Sequence, residues 1–358
     1  MTKLENHILV LFFLVFLQSC CFSDCDELDE EYNPSPYLLE VPPSLPPIDI
    51  PLDNPLTVEG VSLGRKLFYE PLLSKDGSQS CSSCHIQVNG FSDPNAFSVG
   101  VDGIQGRRNA MAIFNLAWSP NLNWDGSSDN LEEQAFEPIT NPIEMHESWG
   151  NVAEKLNAHY LYPDLFKKAF GIDEIDSIYV TKALAQFERT LISGNSKWDK
   201  WLIGAASLTD QERLGWDLFN LDKTEFSSGA DCFHCHTAPH FTDFTFHNNG
   251  LDDDESFLDL GLHETTGDEL DKAKFKTPTL RNIDVSGPYM HDGRFQTLEE
   301  VIEHYNSGGH SSSTIDPLMK NVGEGLELSD EEKQALLAFL RTLTDEEFLN
   351  NPNFSNPF

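Results

Sequence analysis

Cys81-Ser82-Ser83-Cys84-His85 and Cys232-Phe233-His234-Cys235-His236 both read Cys-x-x-Cys-His, the pattern that attaches a c-type haem. Chemistry sets the spacing. Two thiols one helical turn apart bond the haem vinyl groups, and the next imidazole falls under the iron as proximal ligand. Cys81, Cys84, Cys232 and Cys235 are the expected attachment points, and His85 and His236 the expected iron ligands. Zinc pairs lie roughly 12 to 20 residues apart and a thioredoxin-like redox pair needs no following His, whereas these motifs begin 151 residues apart. Two covalently bound haems c make a redox protein.

The elements that must position these motifs occur twice. Leu63-Gly64-x-x-Leu67-Phe68 recurs as Leu214-Gly215-x-x-Leu218-Phe219 at the same offset of 151. Phe91-Ser92-Asp93 and Gly100 return at an offset of 150 as Phe241-Thr242-Asp243 and Gly250. Asn115, Asp125-Gly126 and Leu131-Glu132-Glu133 return as Asn282, Asp292-Gly293 and Leu298-Glu299-Glu300 at an offset of 167. The second copy has gained a loop, expected within the acidic stretch Asp252 to Lys276. Thr297 and Glu300 form a capping box before a helix carrying Tyr305, which Gly308 stops; Ser329 and Glu332 form another before the Leu336 to Leu343 run. Ile178 to Leu191, and Asn151 to Phe170 with a break at Pro163, also read as helical. The expected fold is mainly α, with two tandem cytochrome c-like domains (57–200 and 201–346), each with one covalently bound c-type haem, and a tail at 347–358.

Residues 1–19 carry Lys3 and an apolar run from Ile8 to Leu17, an export signal too short to span a membrane comfortably. Leu17-Gln18-Ser19-Cys20 looks like a lipoprotein cleavage box, although Gln18 departs from the usual small residue; an ordinary secretory signal is the alternative. Both put the mature chain outside the cytoplasm, and the lipid anchor makes it periplasmic and membrane-attached through that anchor alone. Cys21 and Cys25 pair with each other or stay free. Residues 20–56, acidic and then rich in proline, read as a tether. A net charge of −36 speaks against nucleic acid. It suits a basic electron-donor protein, or simply solubility.

The copies differ where iron would find its sixth ligand. Tyr305 stands seven residues after Leu298, and the equivalent of that position, seven after Leu131, is Pro138. A tyrosine ligand would close the second iron and leave the first able to bind a small molecule. The plainer reading of Tyr305 is a packed aromatic, with His304, Met290 and Met319 as rival ligands.

From about Thr57 to Thr344 the chain resembles the bacterial di-haem cytochrome c peroxidases and the related MauG proteins. The likeness is carried by the two haem motifs, Asn109, Trp124-Asp125-Gly126, Gln134, Asn141-Pro142-Ile143-Glu144-Met145, Pro288-Tyr289-Met290-His291-Asp292-Gly293 and the helix ending at Tyr305. It implies that the first haem meets peroxide, that the second passes electrons, that Trp124 lies between them, and that Glu144 and Gln134 flank the open face. It further implies a calcium ion held by Asn109 and by the carbonyls of Ser286 and Pro288, and a homodimer. Two positions depart from the common peroxidase pattern. Val101 stands where many of those enzymes carry a histidine that blocks the peroxide haem, and Tyr305 replaces the axial methionine, as in MauG.

The implied activity is reduction of hydrogen peroxide to water with electrons from a small cytochrome c or copper protein. The alternative is a MauG-like oxidase that acts on a partner protein or organic substrate through a high-valent haem pair, with Trp124 carrying an electron hole. A pure electron carrier needs a further ligand on the first iron, such as His247.

Overall fold

The computed structural model describes residues 32–224 and 226–358. The signal segment, the Cys20 box, Cys21 and Cys25 lie outside the described residues. Among the described residues the fold is mainly helical, and no helix is long and apolar enough to cross a membrane.

Eight helices carry the framework: α1 (Val58–Phe68), α2 (Trp149–Ala158), α3 (Tyr162–Phe170), α4 (Ser177–Thr190), α5 (Lys197–Leu202), α6 (Asp210–Phe219), α7 (Leu298–Ser307) and α8 (Asp330–Arg341). Their ends follow the local chemistry of the sequence. Both expected capping boxes form, Thr297 with Glu300 on α7 and Ser329 with Glu332 on α8, and Gly308 ends α7 at φ 90°, a left-handed conformation that glycine adopts without a Cβ clash. The expected break at Pro163 separates α2 from α3, with the proline in the first turn of α3, where its missing N–H costs nothing.

The duplication is visible in packing. α1 crosses α4 at Gly64, where a Cβ would lie 1.9 Å from the Ala183 carbonyl oxygen; α6 crosses α8 at Gly215, where a Cβ would lie 2.0 Å from that of Ala335. Asn115 and Asn282 both adopt left-handed backbone, and their amides donate to Leu191 O (2.8 Å) and Leu343 O (3.1 Å), just beyond those helices. One hydrophobic core gathers α1 to α4, including Leu67, Phe68, Tyr162, Phe166 and Phe187. A second gathers α5 to α8 around Trp198, Phe219, Phe241 and Phe339. Residues Asn33–Phe358 pack as one unit.

Two segments depart from expectation. The proline-rich stretch does avoid helix, but from residue 33 to 56 it lies along the body instead of hanging free. Leu45 and Leu56 are buried, and Asn54 donates to the Lys182 carbonyl at 3.0 Å. Extended backbone also leaves its carbonyls available for docking: that of Asp53 accepts from Lys182 Nζ at 2.7 Å. The last residues also pack: Phe348, Leu349 and Phe354 enter the first core.

The acidic loop beginning at Asp252 folds back on the first half. Asp259 takes both Nε and Nη2 of Arg108 at 2.7 Å, and Arg108 also pairs with Asp125. The loop ends in β2 (Phe275–Lys276), antiparallel to β1 (Phe246–His247).

Candidate functional site

Each Cys-x-x-Cys-His motif opens with a single 3-10 turn, Cys81–Ser83 and Cys232–His234, and the amide of each histidine closes back on the first cysteine's carbonyl. None of the four cysteines is in a disulfide with another described residue, and all four are half-buried. The Nδ1 of His85 lies 2.9 Å from Phe91 O, and that of His236 lies 3.1 Å from Phe241 O. A carbonyl only accepts, so Nδ1 carries the proton and Nε2 the lone pair that a metal needs. Burial lowers both histidine pKa values, against the opposing pull of those carbonyls. Neutral imidazoles oriented in this way fit an axial iron ligand.

Beside the second motif lies a cavity of about 1560 Å³, its open mouth included. Cys232, Cys235 and His236 line it together with Tyr305 and the apolar residues Leu298, Ile302, Leu336 and Leu340. Asn249 donates to the Tyr305 hydroxyl at 3.1 Å. Burial pushes the Tyr305 pKa up to about 12, against the opposing effect of Asn249. Of the rivals, Met290 and Met319 share the lining. His304 is turned away, its Nε2 3.1 Å from Asn249 O. His247, considered as a ligand for the first iron, belongs instead to this second cavity. Its two nitrogens face Asp316 (2.6 Å) and Asp243 (2.8 Å).

In the first half, Glu144 is half-buried. Burial, reinforced by the charge of Glu137 and opposed by Asn141, raises its pKa to about 7. Its carbonyl accepts the Val101 amide at 2.9 Å, while Gly100 sits so tightly on Ile143 that a Cβ would lie 2.2 Å from the Ile143 oxygen. Val101 and Glu144 are thus neighbours. Gln134 ends a short helical turn, Leu131–Gln134, and Pro138 lies in the next, Glu137–Thr140.

The halves meet through a reciprocal pair of hydrogen bonds. Asn109 N donates to His291 O at 2.7 Å, and Lys276 N donates to Trp124 O at 2.9 Å. At the repeat offset Asn109 corresponds to Lys276 and Trp124 to His291, so each copy grips the other by the same two positions. The Trp124 indole also donates to Asn109 O at 2.9 Å. Trp124 lines both the second cavity and an interface cavity between the copies. Asn109, Ser286 and Pro288 share the lining of the interface cavity. The Asn109 amide nitrogen is spent on Asp93 O and Asn95 O, which leaves its Oδ1 for a cation. This set fits the neutral-oxygen part of a calcium site, with no carboxylate among it.

Sequence reasoning passed over Asn141, Asn249, His240 and Lys276 as functional residues. Asn141 was legible as part of Asn141-Pro142-Ile143-Glu144. The others become visible only once the halves are folded together.

Residues 58–207 match the model of the family described as di-haem cytochrome c peroxidase. The methylamine utilization protein MauG of Methylorubrum extorquens is 41% identical over 302 residues, 83% of this chain and 81% of that protein. Cytochrome c551 peroxidase of Nitrosomonas europaea is 36% identical over 85% of this chain and 84% of its own. A solved MauG-like protein associated with microbial copper homeostasis superposes with a TM-score of 0.83 at 36% identity, covering 90% of this chain and 99% of its own. The chain belongs to the di-haem cytochrome c peroxidase family, a family of oxidoreductases that includes MauG and implies two haems c.

Proposed function

We propose that this chain is an exported di-haem peroxidase that reduces hydrogen peroxide to two waters, taking two electrons from a small redox protein and two protons from solvent. In this reading residues 57–200 and 201–346 are tandem haem domains, the first for peroxide and the second for electron entry. When bound, the haems supply irons that exchange electrons and, at an open position, meet peroxide.

The observation that carries the reading is the contact between Val101 and Glu144. Val101, whose amide is bonded to the Glu144 backbone carbonyl at 2.9 Å, has an aliphatic side chain, which cannot block an iron. The Glu144 carboxylate takes the proton from the nearer peroxide oxygen and returns it to the farther one, which leaves as water. Asn141 fixes the carboxylate through a 2.9 Å hydrogen bond, and Gln134 orients the bound oxygen. Trp124, half-buried between the cavities, passes electrons from the second site to the first.

Tyr305 in the second cavity favours a second reading, MauG-like oxidation of a protein or organic substrate. A phenolate ligand stabilises ferric iron and makes a poor high-potential electron store.

Stopped-flow mixing of the ferric holoprotein with peroxide tests the core of the proposal. A fast Soret change without prior reduction, lost in His85→Ala and kept in Val101→Ala, is expected. Reaction only after one-electron reduction would mean a hidden ligand and defeat the argument from Val101. Sustained turnover with a reduced small cytochrome c separates the peroxidase from the oxidase reading.

A further inference from the structure

The chain carries 59 acidic residues against 23 Lys and Arg, yet among the described residues no carboxylate lines the interface cavity. Two basic side chains do. Lys276 is 5% exposed, and its ammonium donates to Ser119 Oγ and Asn121 O with no acidic partner among the described residues. His240 is 8% exposed, packs on Trp118 and Phe244, and has no hydrogen-bond partner at either ring nitrogen among the described residues. A buried ammonium is costly unless paired, and a buried imidazole is expected to find a partner. Both deficits fall in one cavity, which calls for an anion.

Lys276 also lines the second haem cavity, with Cys232 and Cys235. A haem held by its vinyl edge at these cysteines carries its two propionates on the opposite edge of the ring. The copies differ at this point: Asn109, the equivalent of Lys276, is neutral. On the reading that the second motif holds a haem, we infer that a propionate of this haem enters the interface cavity and pairs with Lys276 and His240. The pairing tunes the electron-entry haem and not its partner. The propionate also brings to the candidate calcium ligands the negative charge that the protein side chains there lack.

The test uses the holoprotein and its Lys276→Gln and Lys276→Arg variants. Pyridine haemochrome first counts haems; fewer than two in the wild type would sink the di-haem reading itself, separately from this inference. Spectroelectrochemical titration then reads both potentials, and resonance Raman reads the propionate bending mode. Removing the cation favours ferric haem, so Lys276→Gln should lower one potential by a tenfold change in the reduction equilibrium, about 59 mV for one electron, and shift the propionate mode. Lys276→Arg should preserve both. Unchanged potentials and an unchanged mode in a two-haem Lys276→Gln protein would overturn the inference. If Lys276→Gln loses haem, His240→Leu must shift the propionate mode, and its failure to do so would be equally decisive. A wild-type potential that follows added acetate at constant ionic strength, with this sensitivity lost in the variants, would assign the cavity to a diffusible anion and also overturn it.

Discussion

Asn141 Nδ2 lies 2.9 Å from Glu144 Oε1, and the same amide nitrogen reaches Glu137 Oε1 at 2.8 Å. One donor thus holds two carboxyl groups together. Burial and the charge of Glu137 raise the Glu144 pKa to about 7 while Asn141 opposes them, which poises the group to accept and return a proton near neutrality.

Peroxide reactivity should therefore rise with pH through about 7 and level off above it, because the carboxylate form is the base. Glu144→Gln should slow the reaction on the order of 100-fold and abolish that inflection. The linkage runs the other way. A raised carboxyl pKa contributes stability that is fully present at low pH and is lost as pH rises through the folded value, so Glu144→Gln should unfold no earlier than wild type at pH 8. A variant with wild-type rates would remove Glu144 from the mechanism.

The close helix crossings predict a matched pair of defects. Gly64→Ala and Gly215→Ala each drive a methyl into a carbonyl of the facing helix, at Ala183 and Ala335. Neither backbone can yield without opening its core, and overpacking of this kind costs about 1–3 kcal/mol. Urea unfolding of the holoproteins should show both variants weakened to a similar degree. Indifference at either site would mean that the crossing relaxes more readily than its geometry implies.

Arg281 and Asp199 form a buried bidentate pair at 2.8 and 2.9 Å, with Arg281 1% and Asp199 3% exposed. Burial works to raise the Asp199 pKa, but the Arg281 hydrogen bonds overcome it and the net shift is downward. That contribution is present above the unfolded carboxyl value and is lost as pH falls through the folded one. Arg281→Met strands the carboxylate and should cost about 3–5 kcal/mol. The double variant Arg281→Met/Asp199→Asn should recover part of this. Equal losses in the single and double variants, measured by chemical unfolding, would show that the arginine acts through its packing on Trp198 and Phe241.

What could be read from the chain was local. Thr297, Glu300 and Gly308 announce α7 because caps act within one turn, and Pro163 marks a break for the same reason. The duplication was legible because Gly64 and Gly215 serve the same crossing. Relationships between distant residues were not. Nothing in the prolines of 33–56 says that Asn54 will reach Lys182. Nothing near Phe348 and Phe354 assigns them to the first core, since an apolar residue can be buried in either. Lys276 looks like an ordinary surface lysine until β2 carries it against Trp124.

Tyr305 offers the sharpest test of how the two sites divide their work. It shares a cavity with the second haem motif, and Asn249 bridges it to Met290, donating to the hydroxyl at 3.1 Å and lying 3.5 Å from the thioether sulfur. If the phenol oxygen is the iron ligand, Tyr305→Phe removes the ligand while keeping the ring that fills the space. The second haem's potential should then rise, because the oxygen donor that stabilised ferric iron is gone. Met290 stands ready as a replacement, so Tyr305→Phe/Met290→Leu should open that iron to added imidazole where Tyr305→Phe alone resists it. A Tyr305→Phe protein whose second-haem spectrum and potential match the wild type would make the tyrosine a packed aromatic and hand the sixth position to methionine.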